Sequence, residues 1–180
     1  MEGVRPAVPD DVDRLAELTA DAVAEQVEGR GGRIWSQREA RQVPAAASIA
    51  DAVADPDELV LAGTIDGTVI GYAVAHVERL ADGTSLGIVT DIFVEPEARG
   101  VGVGETMIGE VLAWCAERGC VGVDALALPG NRHTKNFFET FGFKARALVV
   151  HRSLVEPPEE TPGERATTEP DTVEVAVTET

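Results

Sequence analysis

The sequence predicts an α/β domain in which a mixed, mostly antiparallel central sheet is flanked by helices. Three observations carry this. Apolar residues recur at helical spacing near the start and again after residue 103, whereas β-rich runs fill the middle. Two Asp-Gly dipeptides, Asp66-Gly67 and Asp82-Gly83, separate those runs where tight hairpin turns belong. The 180 residues, 44% hydrophobic and 26% charged, suffice for one domain with a sizeable core.

Taken in order, "EGVRPA" (2–7) reads as a short first strand. The stretch 8–27 reads as a helix, opened by Pro9 and early acids, with Val12, Leu15, Leu18, Ala22 and Val23 on one face. Residues 28–44 read as a loop in which Ser36 and Glu39 have the spacing of a capping box, followed by a short helix at 47–55. The runs at 58–65, 68–80 and 84–95 then form three successive antiparallel strands. An amphipathic helix at 104–119 ends at Gly119, a strand occupies 121–128, a helix at 131–142 stops at Gly142, and "KARALVVHRSL" (144–154) completes the sheet as a last strand.

Beyond Leu154 the composition turns to Pro, Glu and Thr, with eight acids and one base from Val155 to Thr180. Such a segment buries too little apolar surface to offset its ordering entropy, so a domain at 1–154 and a disordered acidic tail at 155–180 are expected. The final 172–179 alternates apolar and polar residues, but a frayed tail is the simpler expectation. The formal charge of −17 at pH 7 repels nucleic-acid backbones and anionic lipid and favours cationic solutes. Neither nucleic acid nor a membrane is an expected partner. Cys115 and Cys120 lack metal-ligand spacing and read as reduced thiols, so no metal site is expected. With no basic apolar leader at its start and no run of membrane-spanning length, the chain is expected in the cytoplasm.

Chemistry concentrates after residue 87. "RGVGVGET" (99–106) places glycines at every second position, between an apolar strand and a helix. It is not a Walker loop, because Gly104 is followed by Glu105 rather than Lys, and Glu105 also breaks the dinucleotide fingerprint. R-x-x-G-x-G remains: small residues admit an anion to backbone N–H groups, the helix start adds partial positive charge and Arg99 adds a full one.

"DIFVEPEARGVGVGETMI" followed by "NRHTKNFFETFGF" resembles the two cofactor-binding motifs of the GCN5-related N-acetyltransferase (GNAT) family, specifically over about 87–143 and more loosely over 4–154. The resemblance implies acetyl-CoA as cosubstrate. It implies a bulged strand whose backbone around Ile92, Phe93 and Val94 pairs with the pantetheine arm, and a pyrophosphate held by Arg99, Gly100, Val101, Gly102, Val103 and Gly104. Glu105 stands where the family often has a smaller residue. Asn131 matches a position that hydrogen-bonds pantetheine, and Lys135 one within reach of the 3′-phosphate or adenine edge. A backbone N–H near Val94 would polarise the thioester carbonyl.

Asp91 and Glu78 are the candidate general bases, with His76 beside Glu78 on the same strand face. "TDIFV" resembles the "EDFFV" segment of small-amine acetyltransferases, with Thr90 in place of the first acid. Phe138 occupies the place of the family's proton-donating Tyr and reads as core, as do Phe137 and Phe141; water, His133 or Thr134 remain as acids. The acceptor wall falls in 30–42, where Trp35 reads as core or as an apolar clamp and Arg33, Arg38 and Arg41 as readers of a carboxylate. The expected reaction is acetyl transfer to a small-molecule primary amine. A protein N-terminal or lysine acetyltransferase and a non-catalytic acyl-CoA-binding module remain open, and a homodimer is among the assemblies the family implies.

Overall fold

The computed structural model describes residues 1–154. Met1–Lys144 form one compact unit, and a second begins at Ala145. The tail expected at 155–180 lies outside the described residues.

The first strand, β1 (Glu2–Pro6), leads through a 3-10 turn at Pro9–Asp11 into α1 (Val12–Val27), then α2 (Gly32–Arg38) and α3 (Ala46–Ala54). The strands β2 (Glu58–Ile65), β3 (Thr68–Arg79) and β4 (Ser85–Val94) follow, then α4 (Val103–Glu117), β5 (Cys120–Ala125) and α5 (Arg132–Thr140). The sheet runs β1-β2-β3-β4-β5, antiparallel except for the parallel β4/β5 pair. Asp66 and Gly67 both adopt positive φ, +49° and +85°, as the two-residue turn between β2 and β3 requires.

Alternation along the strands divides the core in two. Val60, Ala62, Tyr72, Val74 and Phe93 face Leu15, Leu18 and Ala22 of α1 and Ile49 and Ala52 of α3. Their neighbours Leu61, Ala73, Ala75 and Val89 face α4 and α5 through Val103, Met107, Ile108, Val111 and Phe138. Cys115 lies in this second core, where burial pushes its thiol up to about 11, and both cysteines are free.

Two expectations are corrected. Ser36 is no cap: it lies inside α2 and its hydroxyl donates to the Arg33 carbonyl, because the helix starts earlier, at the left-handed Gly31 (φ +82°). The last strand is absent, since residues 145–154 carry no strand and are exposed. Leu148, Val149 and Val150 are consecutive rather than alternating, so no strand register buries all three on one face.

Candidate active site

The site begins where β4 parts from β5. Their parallel pairing ends at Val89 opposite Ala125, while β4 continues alongside β3 to Val94. At that point β4 carries a bulge: Ala75 faces Val89 and Val74 faces Asp91, leaving Thr90 as the extra residue. Past the bulge the Glu95 N–H bonds the Ile70 carbonyl of β3 at 2.9 Å. Because backbone groups alternate sides along a strand, Ile92 and Val94 turn theirs away from β3 into the opening beside β5. Phe93 turns its backbone to β3 and its ring into the α1 core. An extended chain entering this opening meets a strand edge that no strand of the described residues pairs past Val89 on the β5 side, although the Arg99 guanidinium already reaches the Val94 carbonyl.

Asp91 sits at the head of the opening, on the face covered by α1 and α3. Its Oδ2 accepts from Arg41 Nη2 at 2.8 Å, Arg41 Nε at 3.2 Å and the Thr90 hydroxyl at 2.9 Å. Its Oδ1 faces the Tyr72 hydroxyl at 3.4 Å. Burial pushes that hydroxyl far above its ordinary value, so Tyr72 remains protonated and a donor. Glu78 is elsewhere. It is exposed near the end of β3 opposite Leu86, about 13 Å along the strand from Val74 at ~3.3 Å per residue. The structure therefore brings Asp91 to the opening and leaves Glu78, with His76 between them, towards the far end of the strand.

The loop 99–102 follows a 3-10 turn at Pro96–Ala98 and delivers the chain into α4. Gly100 and Gly102 both hold positive φ, +80° and +96°, a conformation that strains any L side chain. Gly102 caps a helix of 15 residues without a side-chain acceptor, so the N–H groups of Val103, Gly104 and Glu105 point outward at its positive end. Val101 is exposed beside them. Arg99 is turned back towards the strand: its Nε donates to the Val94 carbonyl at 2.9 Å, its Nη2 meets Glu25 of α1 at 2.6 Å, and its guanidinium lies 5.5 Å from the Phe93 ring centre. The Phe137 ring of α5 packs over Gly104 in the first turn of α4, where a Cβ would make an ordinary contact at 3.5 Å.

Asn131 caps α5, its Oδ1 accepting from the Thr134 N–H at 3.0 Å, which leaves its amide nitrogen available. It lines a cleft of about 280 Å³ with Leu128, Pro129 and Gly130, opposite Glu25, Gln26 and Arg30 at the end of α1. A second cleft, about 200 Å³, runs between Glu105 and the α5 residues His133, Asn136, Phe137, Thr140 and Phe141. Lys135 is not in it, being paired with Glu139 at 2.6 Å one turn along α5. Phe138 is buried among Phe137 and Phe143.

One participant has a different role from the expected one, and another escaped the sequence reading. Arg41 is committed to Asp91 and, through Nη1, to the Ser48 carbonyl at 3.2 Å, rather than presented to a carboxylate ligand. Glu25 belongs to the site through Arg99, 74 residues away in sequence, and no local pattern marks it. No group of metal-ligating side chains occurs among the described residues, and no helix there is long and apolar enough to cross a membrane.

The model of the Acetyltransferase (GNAT) family matches residues 18–143. No curated protein sequence matches the chain significantly. Among solved structures, a tetramutant protein from Bacillus halodurans superposes with a TM-score of 0.73 at 18% identity, covering 84% of this chain and 99% of its own. A ribosomal-protein-alanine N-acetyltransferase from Brucella melitensis gives 0.63 at 17% identity, covering 85% and 100%. AAC(6′)-Iy in complex with a bisubstrate analog, CoA-S-monomethyl-acetylneamine, gives 0.65 at 18% identity, covering 85% and 97%.

Proposed function

The chain belongs to the acetyltransferase (GNAT) family, N-acetyltransferases that use acetyl-CoA, and from that premise we propose that it acetylates a primary amine of a small molecule by direct attack on the thioester. The observation that supports this most is the parting of β4 from β5 at Val89, which leaves the Ile92 and Val94 backbone facing an opening that leads to the Gly102 end of α4. These elements suit the two ends of one ligand. Extended amide groups add to the strand edge, and a pyrophosphate meets the loop amides from Val101 to Gly104, with Arg99 nearby.

The chain's own groups then divide the work. The Val94 N–H faces the opening and is placed to donate to the oxyanion that develops as the acceptor nitrogen attacks the carbonyl carbon. The new N–C bond forms as the C–S bond breaks, the amine proton passes to water, and water returns one to the thiolate, so no Tyr is required at Phe138. The charge of Asp91 is neutralised by Arg41 and shielded from water, so the acceptor attacks as the neutral amine, after its ammonium proton has passed to water. Glu78, at the far end of the strand face, suits the rim of the acceptor path rather than its centre.

The cleft between the end of α1 and residues 128–131 carries Asn131 and the Arg99 partner Glu25, so it borders the cosubstrate and does not select the acceptor, for which a compact amine is the preferred reading. The structural neighbour bound to an analogue that joins CoA to acetylneamine is consistent with this. A protein amino terminus is the second reading, favoured by the neighbour named for ribosomal-protein alanine. Thiol release from acetyl-CoA across amino acids, polyamines, aminoglycosides and peptides tests both. Turnover with small amines alone is expected, and turnover restricted to peptides would replace this reading with the second.

The loop has its own test. Gly102→Asp forces a side chain into a left-handed position and sets a carboxylate at the anion site. Calorimetry should show acetyl-CoA affinity falling about a hundredfold in a domain that still folds, its melting temperature lower by several degrees from the backbone strain. Unchanged affinity would remove the loop from the cosubstrate site.

A further inference from the structure

We infer that Arg41 is a positioning residue for the acetyl-CoA site: through Asp91 it pins the bulge at Thr90 and so fixes the angle at which β4 leaves β5. This rests on acetyl-CoA as cosubstrate and not on which amine accepts the acetyl group.

The first support is placement. The bulge is the last point at which β4 has neighbours on both sides, because pairing with β5 ends at Val89 and only β3 continues. An extra residue at that point gives the strand a local bend and a stronger twist, and nothing in the ladder itself fixes their size. The positions of Ile92 and Val94, the backbone offered to the cosubstrate, follow from it.

The second support is the tie itself. Arg41 belongs to the connection between α2 and α3, and it reaches Asp91 across 50 residues of sequence with two nitrogens while a third holds the Ser48 carbonyl of α3. Its side chain is 15% exposed and that of Asp91 9%, so the pair is shielded from water and salt. The Thr90 hydroxyl donates its one hydrogen to Asp91 Oδ2 at 2.9 Å, with the Val74 carbonyl of β3 at 3.3 Å as the alternative acceptor, which ties the bulged residue to the pair. Tyr72 closes the group from the β3 side. An exposed strand irregularity with no role would not need a buried ion pair, whose desolvation is costly. Thr90, which replaces an acid of the related motif, is part of this tie, and a carboxylate in its place would stand beside that of Asp91.

The test compares Arg41→Met, Arg41→Lys and Thr90→Val, measuring acetyl-CoA binding by calorimetry without acceptor, KM and kcat with an accepted amine, and melting temperature. Arg41→Met should weaken acetyl-CoA binding about tenfold and raise its KM alike, with kcat at saturation changed far less, as small misplacement of a binding group predicts. Arg41→Lys should recover part of the affinity, and Thr90→Val should lose about threefold with no change in melting temperature. Because binding is read without acceptor, failure to find the amine leaves this result standing. A folded Arg41→Met with unchanged affinity would overturn the inference. So would a fall in kcat at unchanged affinity, which would assign the pair to proton chemistry. Should Arg41→Met not fold, unchanged affinity in both Arg41→Lys and Thr90→Val would overturn it equally.

Discussion

Two arginine–aspartate pairs in this chain use the same chemistry for different ends. Arg5 meets both oxygens of Asp11, at 2.6 and 2.8 Å, and Asp11 also accepts the Val8 N–H at 2.8 Å. Six residues separate the partners, so the pair closes the turn between β1 and α1 and needs little else of the fold. Arg5 is 43% exposed and Asp11 8%. Arg41 and Asp91, both largely shielded, are brought together only once α2, α3 and the sheet are in place. A local pair stabilises the element that contains it, whereas a pair assembled by the whole fold fixes one element against another. Only the second can set the geometry of a site.

The largest expected difference lies in stability. Asp11→Ala removes the acceptor of three hydrogen bonds and leaves the Val8 N–H without its partner. The cost should be about 2 kcal/mol, after discounting for solvent around half-exposed Arg5. Denaturant titration measures it, and acetyl-CoA affinity should be unchanged. Were affinity to fall as far as in Arg41→Met, the two pairs would not differ in kind.

A pH titration sharpens the same contrast. The Arg5 guanidinium holds the Asp11 carboxyl below its ordinary value, with the Val8 N–H adding to the effect and burial opposing it. A depressed carboxyl contributes stability that is complete above its unfolded value near ~3.9 and is lost as pH falls through the folded one. The gap between the parent and Asp11→Asn should therefore stay constant from about pH 5 to 8, narrow below about pH 4 and close only below the depressed folded value. A gap that persisted in acid would show that packing, and not charge, sets the role of Asp11.

The same distinction between local and assembled features explains what could be read from the sequence. Strands β2, β3 and β4 were legible because Asp66-Gly67 and the period of the runs are local signals. So was the R-x-x-G-x-G loop, where backbone conformation is written as glycine at 100 and 102. Helix α2 was not, since it starts at Gly31 without a side-chain cap, and Ser36 and Glu39 only imitate one. The run 144–154 misled in the opposite direction, for Val149 and Val150 favour strands in general but a strand needs a neighbour and a register. Arg41 looked like a ligand reader because nothing in its surroundings names Asp91. Thr90 looked like a missing acid, and its position in the bulge exists only in the paired sheet.

The smallest effect is expected from the acidic last segment of the sequence. Residues 155–180 hold eight acids and one base, and truncating the chain after Val155 removes them together. If they act on the anionic cosubstrate only through their field, screening confines that action to about 8 Å at physiological ionic strength. Affinity and turnover should then change by less than about twofold at that salt, with a slight gain in affinity emerging as salt is lowered. Measuring acetyl-CoA binding for the truncated and full chains across a salt series separates the cases. A large loss that salt does not modulate would mean that the tail supplies contacts to the site, and a third kind of interaction would stand beside the two pairs.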